Sequence, residues 1–309
     1  MPPANRDGGP HLTDTEFRLF GDLFRDHCGL HFDEDSRFLL EKRLRRRIRE
    51  LDLGSFASYH YLLRTNASGD RELSHIVDEL TTNETWFYRE RGQLRALVDE
   101  IMPELLLERA EQGAPVSIWS AGCASGEEPY SVVSLALEAG FRPGRDFRVY
   151  ASDISRSMLQ KARRGVYRPS ALREAEAYLL QKYFTEQEGQ YRVCDDVKRH
   201  VVFMHLNLLD RSRISLLGSM DVILCRNVII YFDLETKKRV ITTFEEKIRP
   251  GGYLLLGHSE SLINLSNGFE LCHLRNDLVY RRPHDREAPR DRWQQKSLQA
   301  LEEETSGRK

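Results

Sequence analysis

The hydrophobic rhythm of the chain changes once, near residue 105. Before it, apolar positions recur at helical spacing: Leu40, Leu44, Ile48 and Leu51 fall on one face of a helix. The stretch LTDTEFRLFGDLF offers Thr13 as a cap with Glu16 three residues on, the signature of a capping box. These patterns predict an all-helical N-terminal domain over residues 11–85 and a linker helix over 86–104. Beyond it, the β-rich runs VSIW, FRVYAS, VVFMHL, MDVILC and GGYLLLG alternate with helical text. Such alternation predicts an α/β domain over 105–283, a parallel sheet with helices on both faces and ligands at the carboxyl ends of the strands. GFELCHLRNDLVYRR reads as an antiparallel hairpin closing one sheet edge. Between Gly165 and His200 the alternation is broken by SALREAEAYLLQKYF and the hairpin text YFTEQEGQYRV, which predicts an insert at about 166–200. Residues 284–309 are almost all polar and are expected to form a disordered tail.

Composition narrows the function classes. A net charge of -2 over 309 residues argues against wholesale nucleic-acid binding. Cys28, Cys123, Cys194, Cys225 and Cys272 are scattered, with no C-x-x-C pair, and read as reduced thiols of a cytosolic protein. His27 and His31 have helical spacing without an H-E-x-x-H context, so no metal site is expected. The N-terminus has no apolar core of a signal peptide. No apolar run reaches the ~20 residues that a membrane span requires.

The candidate chemistry begins at WSAGCASGEEPY, residues 119–130. Glycines between an apolar strand and a helix normally cradle phosphate. This loop has no Lys, and Glu127 and Glu128 would repel an anion. The two acids could simply complement the helix dipole. A further acid, Asp153, ends the second strand in VYASD, where a carboxylate accepts ribose hydroxyls; it could equally cap the helix beginning near Ile154. Together these features suit a ligand with a ribose, a positive charge and no phosphate, which describes S-adenosylmethionine. The third strand ends in HLNLL, bringing Asn207 and Leu208 toward an adenine, although Asn207 alone reads as a turn residue. The fourth ends in CRNVIIYF, with Arg226, Asn227 and Tyr231 at the mouth. The N/D-P-P-Y/F segment of enzymes that methylate base amines is absent.

TTNETWFYRE, SAGCASGEEPYS, ASDIS, NLL, CRNVIIYF and RPGGYLLLGHSE, in that order, resemble the chemotaxis receptor glutamate methyltransferases, over about residues 12–282. The resemblance implies an S-adenosylmethionine-dependent O-methyltransferase acting on glutamate side chains of receptor helices. It implies a helical N-terminal domain and a Rossmann-like catalytic domain carrying a small inserted β-subdomain. It implies cofactor contacts from Asn83, Thr85, Arg89, Glu127, Asp153, Asn207, Leu208, Arg226 and Asn227, with Arg89 and Tyr231 nearest the methyl transfer. Trp86 and Tyr88 stand where the family is expected to carry smaller residues or Phe, and Gly122-Cys123 replaces a small-residue pair. These departures leave the cofactor site intact and bear on substrate access.

For partners, the basic run Lys42 to Arg49 suits acidic receptor helices, with nucleic acid as the rival ligand and a solvated face as the plainer reading. Some family members bind a C-terminal receptor peptide on a longer, glycine-bearing hairpin loop. Here the link is only TEQEGQ, with Glu186 and Glu188 near its tip, so no such tether is expected. A monomer is expected. The competing readings are methylation of another acceptor such as RNA, and a non-catalytic cofactor-sensing adaptor; intact Arg89, Asp153, Asn227 and Tyr231 count against the adaptor.

Overall fold

The computed structural model describes residues 11–284 apart from positions 66, 82 and 110–112. The predicted tail lies outside the described residues from position 285 onward. Four helices come first: α1 (Asp14–Cys28), α2 (Arg37–Glu50), α3 (Phe56–Thr65) and α4 (Ala67–Leu80). The capping box at Thr13 forms, with the Glu16 N–H donating to the Thr13 hydroxyl and the Thr13 N–H donating to the Glu16 carboxylate at 3.0 Å. Phe20, Phe24, Leu40, Leu44, Phe56, Tyr59 and Ile76 form the buried interior of this bundle.

The basic face of α2 is narrower than the sequence suggests. Arg47 makes a two-pronged contact with Glu72 of α4, at 2.6 and 2.7 Å, and the Tyr59 hydroxyl donates to the same carboxylate. Arg43 donates to the Glu79 carbonyl and Arg45 pairs with Glu41. Arg43 and Arg47 thereby tie α2 to α4 and Arg45 is engaged within α2, so these three charges are not offered to a partner. Lys42, Arg46 and Arg49 remain exposed, and of these Arg46 already pairs with Glu79.

Residues 83–90 are irregular and lead into α5 (Arg91–Ala96), a π-helical turn (Leu97–Ile101) and α6 (Met102–Glu108). The sequence reading made 86–104 a linker. Instead, Phe87, Tyr88, Leu94, Leu97, Val98, Ile101 and Met102 are buried in the core of the following domain. Their apolar side chains have one face of the sheet to cover, and an exposed linker would leave that face wet.

The α/β domain continues with β1 (Val116–Ala121), α7 (Glu127–Glu138), β2 (Phe147–Asp153), α8 (Arg156–Arg164), β3 (Val166–Tyr167), α9 (Ala177–Tyr183), β4 (Phe184–Gln187), β5 (Gln190–Val193), α10 (Asp195–Lys198), β6 (Val201–His205), α11 (Arg211–Ser215), β7 (Met220–Cys225), α12 (Leu234–Lys247), β8 (Ile248–Leu256), β9 (Glu270–His273) and β10 (Leu278–Arg281). The main sheet runs β6-β2-β1-β7-β8-β10-β9. Its first five strands are parallel, with Ile118 opposite both Val149 and Val222, and the predicted hairpin β9–β10 closes one edge antiparallel. Chain order reverses direction on either side of β1, which makes the carboxyl ends of β1 and β7 the place where a ligand fits.

The insert forms its own antiparallel sheet, β3-β5-β4. Its hairpin turns on two residues, Glu188 and Gly189, both with positive φ (51° and 72°), as a type I′ turn requires. Phe87 meets Tyr167 and Phe184 edge-to-face, which ties the insert to the segment before α5.

The helical bundle is joined to the α/β domain by polar contacts as well. The Asp78 carboxylate accepts from the Arg156 and Ser157 N–H groups at the start of α8. The His31 N–H donates to the Tyr231 carbonyl at 2.9 Å, and Leu30 bridges to Phe232. Gly29, with φ of 83°, lies so close to α12 that an added Cβ would be 2.7 Å from Thr236.

Candidate cofactor site

One cleft lies at the ends of β1, β2, β6 and β7, enclosing about 1050 Å³ with its open mouth included. Asn83, Thr85, Arg89, Asp153, Asn207, Leu208, Arg226, Asn227 and Tyr231, all expected from the sequence, line it. Glu127 does not. The carboxylate at the cleft is that of its neighbour Glu128. The sequence reading also missed Cys28 and Leu30, by which the helical bundle forms part of the wall.

The glycine loop explains its own lack of phosphate chemistry. The Gly122 and Cys123 N–H groups donate to the Ser152 carbonyl at 2.8 and 2.9 Å, and the Gly126 N–H donates to the Cys123 carbonyl. The Ala124 N–H donates to Asp153 at 2.8 Å. Amides occupied in this way leave no cradle for an anion. Gly122 has φ of 87°, and a Cβ there would lie 2.4 Å from Val228, so the loop and the end of β7 can approach only at a glycine.

Asp153 holds this loop with one oxygen and accepts from the Ser155 N–H at 2.8 Å with the other. It is not the cap of α8: Ser155 is, accepting from the Met158 N–H. Burial pushes the Asp153 carboxyl up to about 6, against the opposing effect of those two backbone donors. A buried carboxylate with spare lone pairs is poorly solvated until a further donor arrives.

Glu127 and Glu128 have opposite fates. Glu127, 3% exposed, takes the Ser125 hydroxyl at 2.9 Å from both oxygens. Burial pushes its carboxyl up to about 7. Glu128 accepts from the Ser120 hydroxyl at 2.7 Å and from Arg226 at 3.2 Å. Arg226 also contacts Glu90 at 3.1 Å and the Arg89 carbonyl, with only 3% of its side chain exposed. Two carboxylates therefore share the Arg226 guanidinium, the Arg89 guanidinium lies 4.0 Å from the other oxygen of Glu90, and of the two acids Glu128 lines the cleft. α7 is buried on nearly every side from Pro129 to Ala136, so no apolar stripe in the sequence reveals which glutamate points inward.

The mouth is shaped by strained backbone. Tyr88 and Glu90 have positive φ (62° and 50°) on either side of Arg89. Tyr88 is held by Ser131, which accepts its N–H at 2.9 Å, and by a hydroxyl contact to Ser134. Asn227, with φ of 60°, is fixed by Glu260, whose carboxylate accepts from the N–H groups of Asn227, Val228, Ile230 and Gly257. Glu260 belongs to the GHSE stretch, which the sequence reading quoted without giving the glutamate a role. Burial pushes its carboxyl up while those four donors oppose the shift. Asn207 is engaged as a turn residue, accepting from the Leu209 N–H and donating to the His27 carbonyl at 2.6 Å. It reaches the cleft as part of the wall between the domains. Among the described residues the Tyr231 hydroxyl has no hydrogen-bond partner, and the Arg89 guanidinium lies against the Trp86 ring.

Two outcomes are expected. Glu128→Gln should weaken binding of S-adenosylmethionine by about 1.5–3 kcal/mol, the worth of a hydrogen bond to a charged group. Glu127→Gln should leave binding unchanged and should flatten the pH dependence of stability. A buried acid with a raised pKa binds more protons folded than unfolded, so it costs stability as pH rises from about 4.5 to about 7. Calorimetry showing the reverse pattern in the two variants would refute the assignment. Secondly, ribose hydroxyls favour ionised Asp153, so cofactor affinity should fall as pH drops below about 6, by up to about tenfold per pH unit. A flat Kd between pH 5 and 7 would remove Asp153 from the ligand contact, and Asp153→Asn should abolish the slope.

Residues 15–81 match the family model "CheR methyltransferase, all-alpha domain", and residues 83–278 match "CheR methyltransferase, SAM binding domain". The chain is 39% identical over 275 residues to chemotaxis protein methyltransferase 2 of Vibrio cholerae, covering 88% of this chain and 94% of that protein. It is 36% identical over 274 residues to the chemotaxis protein methyltransferase of Salmonella typhimurium, covering 87% and 90%. It is 33% identical over 276 residues to chemotaxis protein methyltransferase 1 of Pseudomonas aeruginosa, covering 87% and 98%. The boundary between the two matched regions falls where α4 gives way to the irregular segment leading to Arg89, and on these grounds the chain belongs to the CheR methyltransferase family.

Proposed function

We propose that this protein is a protein-glutamate O-methyltransferase, placing methyl groups from S-adenosylmethionine on glutamate side chains of chemotaxis receptors. The observation that carries the reading is the absence, among the described residues, of any histidine lining the cleft. The cleft's own buried carboxylates are engaged: Asp153 by the glycine loop, Glu128 by Ser120 and Arg226. An alcohol acceptor would need a base there. A glutamate has an unperturbed pKa of about 4.3 and arrives already ionised. The names of the similar proteins agree, each being a chemotaxis protein methyltransferase.

The residues fit the cofactor. The Glu128 carboxylate suits its ammonium group, Asp153 suits its ribose, and Asn207 with Leu208 suits its adenine. When bound, S-adenosylmethionine supplies a methyl group on a positively charged sulfur, which a carboxylate oxygen takes with its own electron pair, leaving a neutral thioether and requiring no proton. The protein's task is to orient the acceptor and exclude water, since water stabilises both separated charges. Arg89 would stabilise the charged acceptor more than the ester, so its role is alignment. Tyr231, with a free hydroxyl, can hold an acceptor oxygen at less cost to the ground state.

For docking, the exposed cations Lys42 and Arg49 suit acidic receptor helices. The two-residue turn Glu188–Gly189, flanked by Glu186, offers little surface to a peptide and would repel its terminal carboxylate, so direct recognition of the methylated region is the reading we favour.

Incubation with methyl-labelled cofactor and the host's receptors should give base-labile label on receptor glutamates. Tyr231→Phe should lower that rate about fivefold to tenfold, the worth of one hydrogen bond, with cofactor affinity preserved. Label on RNA instead, or full activity in Tyr231→Phe, would contradict the reading. Reversing Lys42 and Arg49 to Glu should slow receptor methylation and blunt its salt dependence without changing cofactor affinity. The C-terminal pentapeptide of a tethering receptor should give no heat on titration. Unimpaired methylation in the reversed variant, or micromolar peptide binding, would overturn this docking scheme.

A further inference from the structure

Trp86 stands in the segment that carries Arg89, and two cations lie against its ring. The guanidinium carbon of Arg89 is 4.3 Å from the ring centroid and that of Arg173 is 3.7 Å from it. Arg173 comes from the inserted subdomain, directly after the 3₁₀ turn Pro169–Leu172. Its other partner is the Glu84 carboxylate at 3.8 Å. The Glu84 carbonyl accepts from Arg89 at 3.1 Å. Glu84, Trp86, Arg89 and Arg173 thus close a ring of contacts, three of whose members line the cleft. Among the described residues the Trp86 Nε1 atom is buried without a hydrogen-bond acceptor, so none of them fixes the indole by a hydrogen bond. What holds it is stacking.

The chemistry of the reaction explains why an indole suits this place. Arg89 is a long side chain with several competing conformers. The carboxylate nearest to it is Glu90, at 4.0 Å, whose other oxygen already serves Arg226. A carboxylate gripping Arg89 would cancel the charge that an acidic acceptor needs to meet. The face of an indole attracts a guanidinium without neutralising it. Arg173 lies against the same ring, with its own charge met by the Glu84 carboxylate. Its segment is anchored independently, because the Phe87 N–H donates to the Ala171 carbonyl at 2.8 Å.

We propose that Trp86 and Arg173 are positioning residues for the methyl acceptor: the indole, braced by Arg173 of the inserted subdomain, holds the Arg89 guanidinium at the mouth, where its carboxylate contact is the long one to Glu90. The insert thereby becomes part of the acceptor side of the site. This rests on the reading that the acceptor is an acidic side chain, and the test separates the two.

The test uses the full chain and two readouts. Nitrogen-15 NMR of arginine Nε–H groups, with the Arg89 signal assigned by its loss in Arg89→Lys, reports ring stacking without any acceptor. The Arg89 resonance should move in Trp86→Leu and in Arg173→Met and should return toward its place in Arg173→Lys. With a receptor cytoplasmic fragment, Trp86→Leu and Arg173→Met should lower kcat about fivefold to tenfold while cofactor Kd stays within about twofold, and Arg173→Lys should recover most of the rate. An Arg89 resonance indifferent to Arg173→Met, an unchanged kcat, or a parallel loss of cofactor affinity would overturn the proposal. If the wild-type protein leaves receptor glutamates unmodified, the receptor reading fails, and the Arg89 resonance still decides whether Trp86 and Arg173 hold it.

Discussion

The site depends on one buried cation. Arg226, at the end of β7, faces two carboxylates, Glu90 from the segment before α5 and Glu128 from the first turn of α7, and also donates to the Arg89 carbonyl. Removing one member of a buried ion pair typically costs about 3–5 kcal/mol, because the partner is left uncompensated. Here the three elements that must meet for a cofactor site to exist are joined through a single guanidinium. Glu128 is the carboxylate of this network that lines the cleft, which is where a cationic group of a ligand would meet it. The glutamates after the glycine loop therefore have a direct physical meaning: the loop's amides are consumed by Ser152, Cys123 and Asp153, and the charge beside it selects against phosphate.

Around this cluster, rigidity comes from backbone that is costly to form. Tyr88, Glu90 and Asn227 all occupy the left-handed region, at a cost of order 1–3 kcal/mol each. Each is over-determined by packing or by hydrogen bonds, with Ser131 and Ser134 at Tyr88 and Glu260 at Asn227. The helical bundle completes the same wall through Cys28, Leu30 and the strand-like contact of Leu30 with Phe232. On the proposed docking scheme, a receptor on the exposed edge of α2 would be held by the same domain that borders the cofactor.

Much of this was legible in the sequence. The alternation of apolar runs gave the parallel sheet, the turn in GFELCHLRNDLVYRR gave the closing hairpin, and the misfit after Gly165 gave the inserted sheet. Each rests on local periodicity, which a single sequence carries. What it did not carry was the direction of side chains where a helix is buried all round: the residues alone leave Glu127 and Glu128 equivalent, the resemblance implies Glu127, and Glu128 is the one that lines the cleft. Nor did it show which arginines of α2 turn inward, because Glu72, Glu79 and Tyr59 become their partners only once α3 and α4 pack. Glu260 escaped for a similar reason: its four donors are backbone amides of a loop some thirty residues earlier and of Gly257. The burial of the linker helix was not legible because apolar residues at helical spacing look the same whether a helix covers a neighbouring sheet or only connects domains.

The most direct test of this account is a crystal structure of the protein with S-adenosylhomocysteine. The account predicts the ligand's ammonium group beside Glu128 and its ribose hydroxyls on Asp153, with Arg226 still bridging Glu90 and Glu128 and Glu127 still turned to Ser125. A structure in which Glu127 contacts the ligand, or in which Arg226 has left both carboxylates, would contradict it.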